Sequence, residues 1–208
     1  MLMDGLTVKS STTLLMHDDW RVTFPVDFNG DGKSDLVWHN YVTGETAIWL
    51  MDGANYLSGA IVMANSSWTA GPAGDLDGDG KDDLVWRNSI TGETALWLMD
   101  GTSMKAGIIV VADGNWTARH FGDLNGDGRS DIIWENGVTH ATHVWLMNGL
   151  TMTVGGPVPL NGASVIVVDD FDSDGRDDLV TAEAEPTPGF MLYRAWLMDG
   201  RNVKSMAA

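Results

Sequence analysis

A nine-residue acidic pattern recurs four times in this chain, and its even spacing restricts the fold to a repeat architecture. It reads DFNGDGKSD from Asp27, DLDGDGKDD from Asp75, DLNGDGRSD from Asp123 and DFDSDGRDD from Asp170. The first residues lie 48, 48 and 47 positions apart, so one unit is nearly a quarter of the 208 residues. Self-similarity at such a period marks stacked supersecondary units that cannot bury their apolar faces alone.

The second copy states the chemistry most plainly. Asp75, Asp77, Asp79 and Asp83 stand at positions 1, 3, 5 and 9, and Gly80 at position 6 permits a sharp turn. The spacing collects hard oxygens around one point, to which position 7, Lys81, adds a main-chain carbonyl. Calcium takes six to eight such oxygens at about 2.3–2.6 Å, and crowded carboxylates repel one another without a cation. The opening resembles an EF-hand, but that loop needs a bidentate Glu at position 12 and flanking helices. Here position 12 is Trp38, Trp86, Trp134 or Thr181. The acidic residue able to close the loop is at position 9 (Asp35, Asp83, Asp131, Asp178), and the apolar run after it is strand material.

Charge and cysteine content narrow the function classes. With 29 acidic against 12 basic residues the formal charge is −17, which disfavours nucleic acid and anionic membrane as partners. Four divalent cations would add eight positive charges and bring −17 to −9. There is no cysteine, hence neither a disulfide framework nor thiolate chemistry. No apolar run is long enough to span a membrane and no signal peptide is evident, so no membrane insertion is expected. The loops themselves point outside the cell, secreted or at the surface, where calcium is plentiful enough to fill weak oxygen sites.

In the third copy, WTARHFGDL precedes the loop, DIIWEN follows it, and ATHVWLMNG and TMTVGGPVPL come next. These pieces predict four strands, with turns at YVTGET, SITGET and GVTHAT. In the third strand Ala47, Trp49 and Met51 point one way and Ile48 and Leu50 the other, so both faces are apolar and the sheet packs between neighbours. The expected fold is all-β: a β-propeller of four four-stranded blades, forming one domain over residues 1–208. Residues 1–26 would supply a closing outer strand and the first inner strand, with the loops at 27–35, 75–83, 123–131 and 170–178. LMDG at residues 2–5 reads as the tail of a third strand, and the C-terminus stops shortly after Gly200. Closure is therefore expected from residues 6–16 completing the last blade as a monomeric four-bladed ring, or from two chains sharing an eight-bladed ring. The fourth copy departs from the others: Ser164 and Thr181 replace tryptophans, and TAEAEPTPGF, with Pro186, Pro188 and Gly189, lengthens its hairpin.

Four copies of D-x-[DN]-x-D-G-x-x-D, each followed by an apolar strand, resemble the FG-GAP and VCBS repeats of calcium-binding β-propellers, which include the integrin α-subunit head and propeller lectins. The Phe-Gly pair stands at Phe121 and Gly122, and the WLMDG strand is closest to the bacterial VCBS-like form. The resemblance implies one calcium ion per loop, four in all. Its ligands would be Asp27, Asn29, Asp31 and Asp35; Asp75, Asp77, Asp79 and Asp83; Asp123, Asn125, Asp127 and Asp131; and Asp170, Asp172, Asp174 and Asp178. The carbonyls of Lys33, Lys81, Arg129 and Arg176 complete the set. With Asn at position 3, the first and third loops carry one charge fewer and are expected to bind more weakly than the second and fourth.

Other candidates weigh less. Nine of the ten tryptophans recur at three fixed phases, as blade packing requires, although flat rings beside His39, Asn40, Arg87, Asn88, Glu135 and Asn136 also suit sugars. His140 and His143, three apart on a strand, face opposite sides and make a poor metal pair. No HExxH, GxSxG or Walker-type loop occurs, and no catalytic residue is assigned. The expectation is a non-enzymatic extracellular recognition or adhesion module for protein partners. The alternatives are a carbohydrate-binding lectin and an accessory module or fragment of a larger secreted enzyme or repeat array.

Overall fold

The computed structural model of the protein describes residues 2–4, 7–14, 17–71, 74–111, 113–184 and 190–207. Each repeat folds into one antiparallel sheet whose strands pair in chain order. The first sheet comprises β3 (Trp20–Val26), β4 (Asp35–Asn40), β5 (Glu45–Asp52) and β6 (Asn55–Ala64). The second comprises β7 (Trp68–Ala70), β8 (Leu84–Asn88), β9 (Thr94–Asp100) and β10 (Ser103–Val111). The third comprises β11 (Trp116–Gly122), β12 (Asp131–Asn136), β13 (Thr142–Asn148) and β14 (Thr151–Val158). The fourth comprises β15 (Ser164–Asp169), β16 (Asp178–Ala184), β17 (Met191–Asp199) and β18 (Asn202–Ala207). All four acidic loops connect the first strand of a sheet to its second, as the repeat predicts.

The doubly apolar third strand is what lets the sheets stack. One core joins Phe28, Val37 and Ile48 of the first sheet to Leu84, Trp86, Ala95 and Met99 of the second. The next joins Leu76, Val85 and Leu96 to Ala118, Ile132, Trp134 and Met147. The last joins Leu124, Ile133, Val144 and Val158 to Val165, Leu179, Trp196 and Met198. The second and third sheets are thus buried on both faces, which is why their strands read as apolar runs rather than simple alternation.

Trp86 and Trp134 belong to these cores; like them, Trp38 is buried, and the three tilt against the third-strand Trp97, Trp145 and Trp49 at centroid distances of 5.1, 4.9 and 4.9 Å. In the fourth sheet Thr181 takes the second-strand place, and its hydroxyl accepts the indole N–H of Trp196 at 2.8 Å. The third-strand rings need room on the neighbouring strand. Trp49, Trp97 and Trp145 lie opposite Gly59, Gly107 and Gly155. A Cβ on Gly107 would sit 2.7 Å from Trp97 Cδ1. Gly107→Ala is therefore expected to destabilise the fold by about 1–3 kcal/mol, as overpacking does, in a urea titration that leaves an exposed control such as Gly137→Ala near wild type.

The ends differ from expectation. The fourth place in the last sheet is filled by β18, which pairs with β17 across the two-residue connection Gly200–Arg201. A strand that close in sequence closes its loop at far smaller entropic cost than one from the opposite end of the chain. The N-terminal β1 (Leu2–Asp4) and β2 (Thr7–Ser10) instead pair with each other as a separate hairpin. Among the described residues no hydrogen bond and no core joins the fourth sheet to the first. Pro186, Pro188 and Gly189 lie outside the described residues.

Candidate metal centres

Position 1 organises each loop. Asp75 Oδ1 accepts the main-chain N–H groups of Gly78 (2.7 Å) and Asp79 (3.2 Å), and its Oδ2 accepts that of Gly80 (2.8 Å). Asp27 and Asp123 do the same with Gly30, Asp31 and Gly32 and with Gly126, Asp127 and Gly128. Asp170 holds Asp174 and Gly175. Such a wrap needs positive φ at position 6, where Gly32, Gly80, Gly128 and Gly175 have 77°, 81°, 80° and 82° with open space where a Cβ would be. Backbone conformation, not crowding, selects glycine there. Position 5 then accepts the N–H of position 7 in every loop, at 2.9–3.0 Å.

Position 9 locks the loop into the sheet. Asp83 is fully buried, with one oxygen accepting the N–H of Leu76 and the other that of Met99, both at 2.8 Å. Asp35, Asp131 and Asp178 repeat this with Phe28 and Met51, Leu124 and Met147, and Phe171 and Met198. Burial pushes the Asp83 and Asp131 carboxyls up to about 7, although these N–H donors pull the other way, and it raises Asp35 as well. A cation beside carboxylates so placed would favour their charged form.

Position 8 went unread in the sequence, and it ties one repeat to the one before. The Asp82 N–H donates to the carbonyl of Asp27 (2.7 Å), and its carboxylate accepts the Asp27 N–H (2.8 Å). Asp177 makes the same reciprocal pair with Asp123 at 2.8 and 2.7 Å. Ser130 joins Asp75 through its N–H alone, at 2.6 Å. Alongside, Gly101, Gly149 and Gly200 donate to the carbonyls of Phe28, Leu76 and Leu124 at 2.7–2.8 Å. The doubled Asp of KDD and RDD was the available signal, but its target lies in the neighbouring repeat.

In the second loop, single oxygens of Asp75, Asp77 and Asp83 lie within 4.8 Å of one another, as do those of Asp170, Asp172 and Asp178 in the fourth. Asp77 Oδ1 is buried and lacks a hydrogen-bond partner among the described residues, so this donor set fits a hard divalent cation such as calcium. Position 5 is drawn elsewhere in these two loops. Lys105 Nζ sits 2.6 Å from Asp79 and 2.9 Å from Asp77, and Lys204 pairs with Asp174. The hydrogen bond from Lys204 lowers the Asp174 carboxyl. In Asp79 burial acts upward, but the Lys105 bond and charge bring the net shift down.

An FG-GAP-like repeat family model matches residues 27–86 and 75–134. The chain belongs to this FG-GAP-like family. The matched stretches run from one acidic loop through the second-strand tryptophan of the next copy, so the FG-GAP unit includes the loop-to-loop bonds as well as the ligand set. No curated protein matches the chain. Among solved structures, the V. cholerae biofilm matrix protein Bap1 is similar at 20% identity over 95% of this chain, with a TM-score of 0.41. This FG-GAP chain spans 41% of that chain's length.

The remaining polar candidates are engaged in holding the FG-GAP sheets. Asn40, Asn88 and Asn136 are buried, and each side-chain oxygen accepts two N–H groups of the following turn. Arg87 donates to the carbonyls of Gly92 and Gly114, and Glu135 accepts the N–H of Val165 at 2.8 Å across the third junction. His140 occupies the turn at φ 56°, where the other copies have Gly44 and Gly92, while His143 packs on Trp116 at 4.4 Å.

Proposed function

We propose that the protein is a calcium-stabilised, non-enzymatic recognition module that works outside the cell on protein partners, its four sheets being blades of a β-propeller. The observation that carries the recognition reading is the outer edge of the sheets. The fourth strands expose apolar side chains that no core uses: Tyr56, Leu57 and Ile61 on β6, Met104, Ile108 and Ile109 on β10, and Met152 and Val154 on β14, all 45–54% accessible. Apolar groups on edge strands with open main-chain donors and acceptors suit an added strand or an apolar partner surface. No helix among the described residues is long and apolar enough to cross a membrane.

Calcium would be held by the position 1, 3, 5 and 9 side chains with the position 7 carbonyls, and it would supply divalent charge to carboxylates that otherwise repel. Because the same loops bond to one another across the sheet junctions, metal binding becomes stability of the whole stack. Native mass spectrometry is expected to find four calcium ions per chain. A chelator should lower the melting temperature by about 10 °C or more. Each site held at a hundredfold excess over its dissociation constant adds about 2.7 kcal/mol, and 1 kcal/mol is worth about 2–4 °C at this size. An unchanged mass and melting curve would remove calcium from this reading.

A second reading has an observation of its own. Val110, Val111, Asp113, Trp116, His143 and Trp145 line a cavity of about 330 Å³ between the second and third sheets, aromatic enough to stack a sugar. Parallel arrays of glycans and extracellular proteins separate the two. Protein capture lost on Ile61→Lys with Ile108→Lys supports the edge strands, and glycan capture lost on Trp116→Ala supports the cavity.

A further inference from the structure

The three junctions inside the chain share one pattern, and the two outermost sheets each carry an unused half of it. On the trailing side of a junction stand the position 1 and 2 carbonyls and an apolar face. Phe28, Leu76 and Leu124 at position 2 are fully buried, and so are Ile48, Leu96 and Val144 on the third strands. In the fourth sheet the same places are Phe171, 47% exposed, and Ala195, half-buried, with Ile166 and Val167 exposed beside them. Among the described residues the carbonyls of Asp170 and Phe171 receive no donor from another sheet. On the leading side stand the position 8 N–H, the N–H of the glycine after Leu-Met-Asp or Leu-Met-Asn, and the position 7 cation. The first sheet offers Ser34, Gly53 and Lys33 there, and neither main-chain N–H has an acceptor among the described residues. An open cavity of about 690 Å³ lies over them, lined by Thr12 of the N-terminal segment together with Lys33, Ser34, Asp52, Gly53, Ala54 and Asn55.

We propose that the fourth sheet of one copy docks on the first sheet of a second copy, head to tail, and repeats the internal junction. Each element has its counterpart within the chain except position 4 of the receiving loop, where Ser173 stands in place of Gly30, Gly78 and Gly126. Ser34 would bond to the Asp170 carbonyl as Ser130 does to Asp75, and Gly53 to the Phe171 carbonyl as Gly200 does to Leu124. Lys33 takes the place of Lys81, Arg129 and Arg176, whose stems pack on position 4 of the preceding loop, and it brings positive charge to the acidic loop of Asp170, Asp172 and Asp174. Such a contact is heterologous: it closes when a second contact of the same kind completes a ring, and otherwise extends. The inference goes beyond the recognition role and does not depend on it.

Sedimentation velocity over a concentration series tests it with two exposed-site variants, Phe171→Asp on the tail and Ser34→Arg on the head, both checked for wild-type melting. Wild type is expected to associate, and either variant alone to associate about tenfold or more weakly, the scale of one lost apolar side chain. Mixed in equal amounts, the variants should form a one-to-one pair, since Ser34→Arg keeps an intact tail and Phe171→Asp an intact head. Three results would overturn the proposal: a wild type that stays monomeric throughout, a Ser34→Arg variant that associates like wild type, or a mixture that does not pair.

Discussion

Asp131→Ala is expected to cost the fold about 2–6 kcal/mol in urea denaturation, and to do so with chelator present. The side chain is fully buried, and its two oxygens are the acceptors for the N–H groups of Leu124 and Met147. Alanine leaves both donors buried and unpaired, and each such loss costs about 1–3 kcal/mol. Asp131→Asn keeps one acceptor but turns an amide N–H₂ toward one of the donors, so it should fall between wild type and alanine. Asp127→Asn in the same loop is the contrast. Its Oδ1 accepts only the Arg129 N–H at an exposed site, so the expected change without calcium is within about 0.5 kcal/mol and grows only when calcium is added. Equal losses for Asp131→Ala and Asp127→Asn in chelator would mean that position 9 is a ligand and nothing more.

That distinction shows where sequence reasoning reached and where it stopped. The loop, the four strands around it and the apolar strand buried on both faces follow from local rules: spacing of carboxylates, positive-φ glycine, alternation along Ala47–Met51. Those rules act within about a dozen residues, so they are legible in one repeat and confirmed by the next. What was missed acts between repeats. Asp82 looks like a solvated acid beside Asp83, yet its carboxylate is half-buried against the Asp27 main chain, 55 positions earlier, and burial raises its pKa. Closure by the N-terminal strand was expected because LMDG at residues 2–5 matches a repeat phase. The last sheet was completed instead by Asn202–Ala207, a segment without the motif residues that make the other copies recognisable. Gly59, Gly107 and Gly155 lie in irregular, exposed fourth strands, and only the cross-strand register reveals that each makes room for a tryptophan ring.

Calcium affinity across the loops is the second place where geometry changes the expectation. On carboxylate count alone, the second and fourth loops, with Asp at position 3, should bind more tightly than the first and third, with Asn. The fourth strand of every sheet, however, carries an irregularity at its third residue, Leu57, Lys105, Thr153 or Lys204. In the second and fourth sheets the extra residue's side chain reaches the loop. The two lysines belong to the two loops with the additional carboxylate: Lys105 contacts Asp77 and Asp79, and Lys204 contacts Asp174 and lies 3.8 Å from Asp172. Hydrogen bonding to Asp79 holds the Lys105 ammonium above the usual lysine range, so it is charged wherever calcium would be offered. Each lysine offsets the extra negative charge and occupies oxygens a metal would use. Wild-type second and fourth loops are therefore expected to bind no more tightly than the first and third. Lys105→Met should tighten the second by about tenfold or more, because a unit charge near 4 Å is worth a few kcal/mol at an effective dielectric constant of about 20, before screening. Thr153→Lys should weaken the third loop in return. Calcium titration by calorimetry on single-loop knockouts reads both changes, and a Lys105→Met protein with unaltered affinity would show that the lysines release the carboxylates at no cost when the metal arrives.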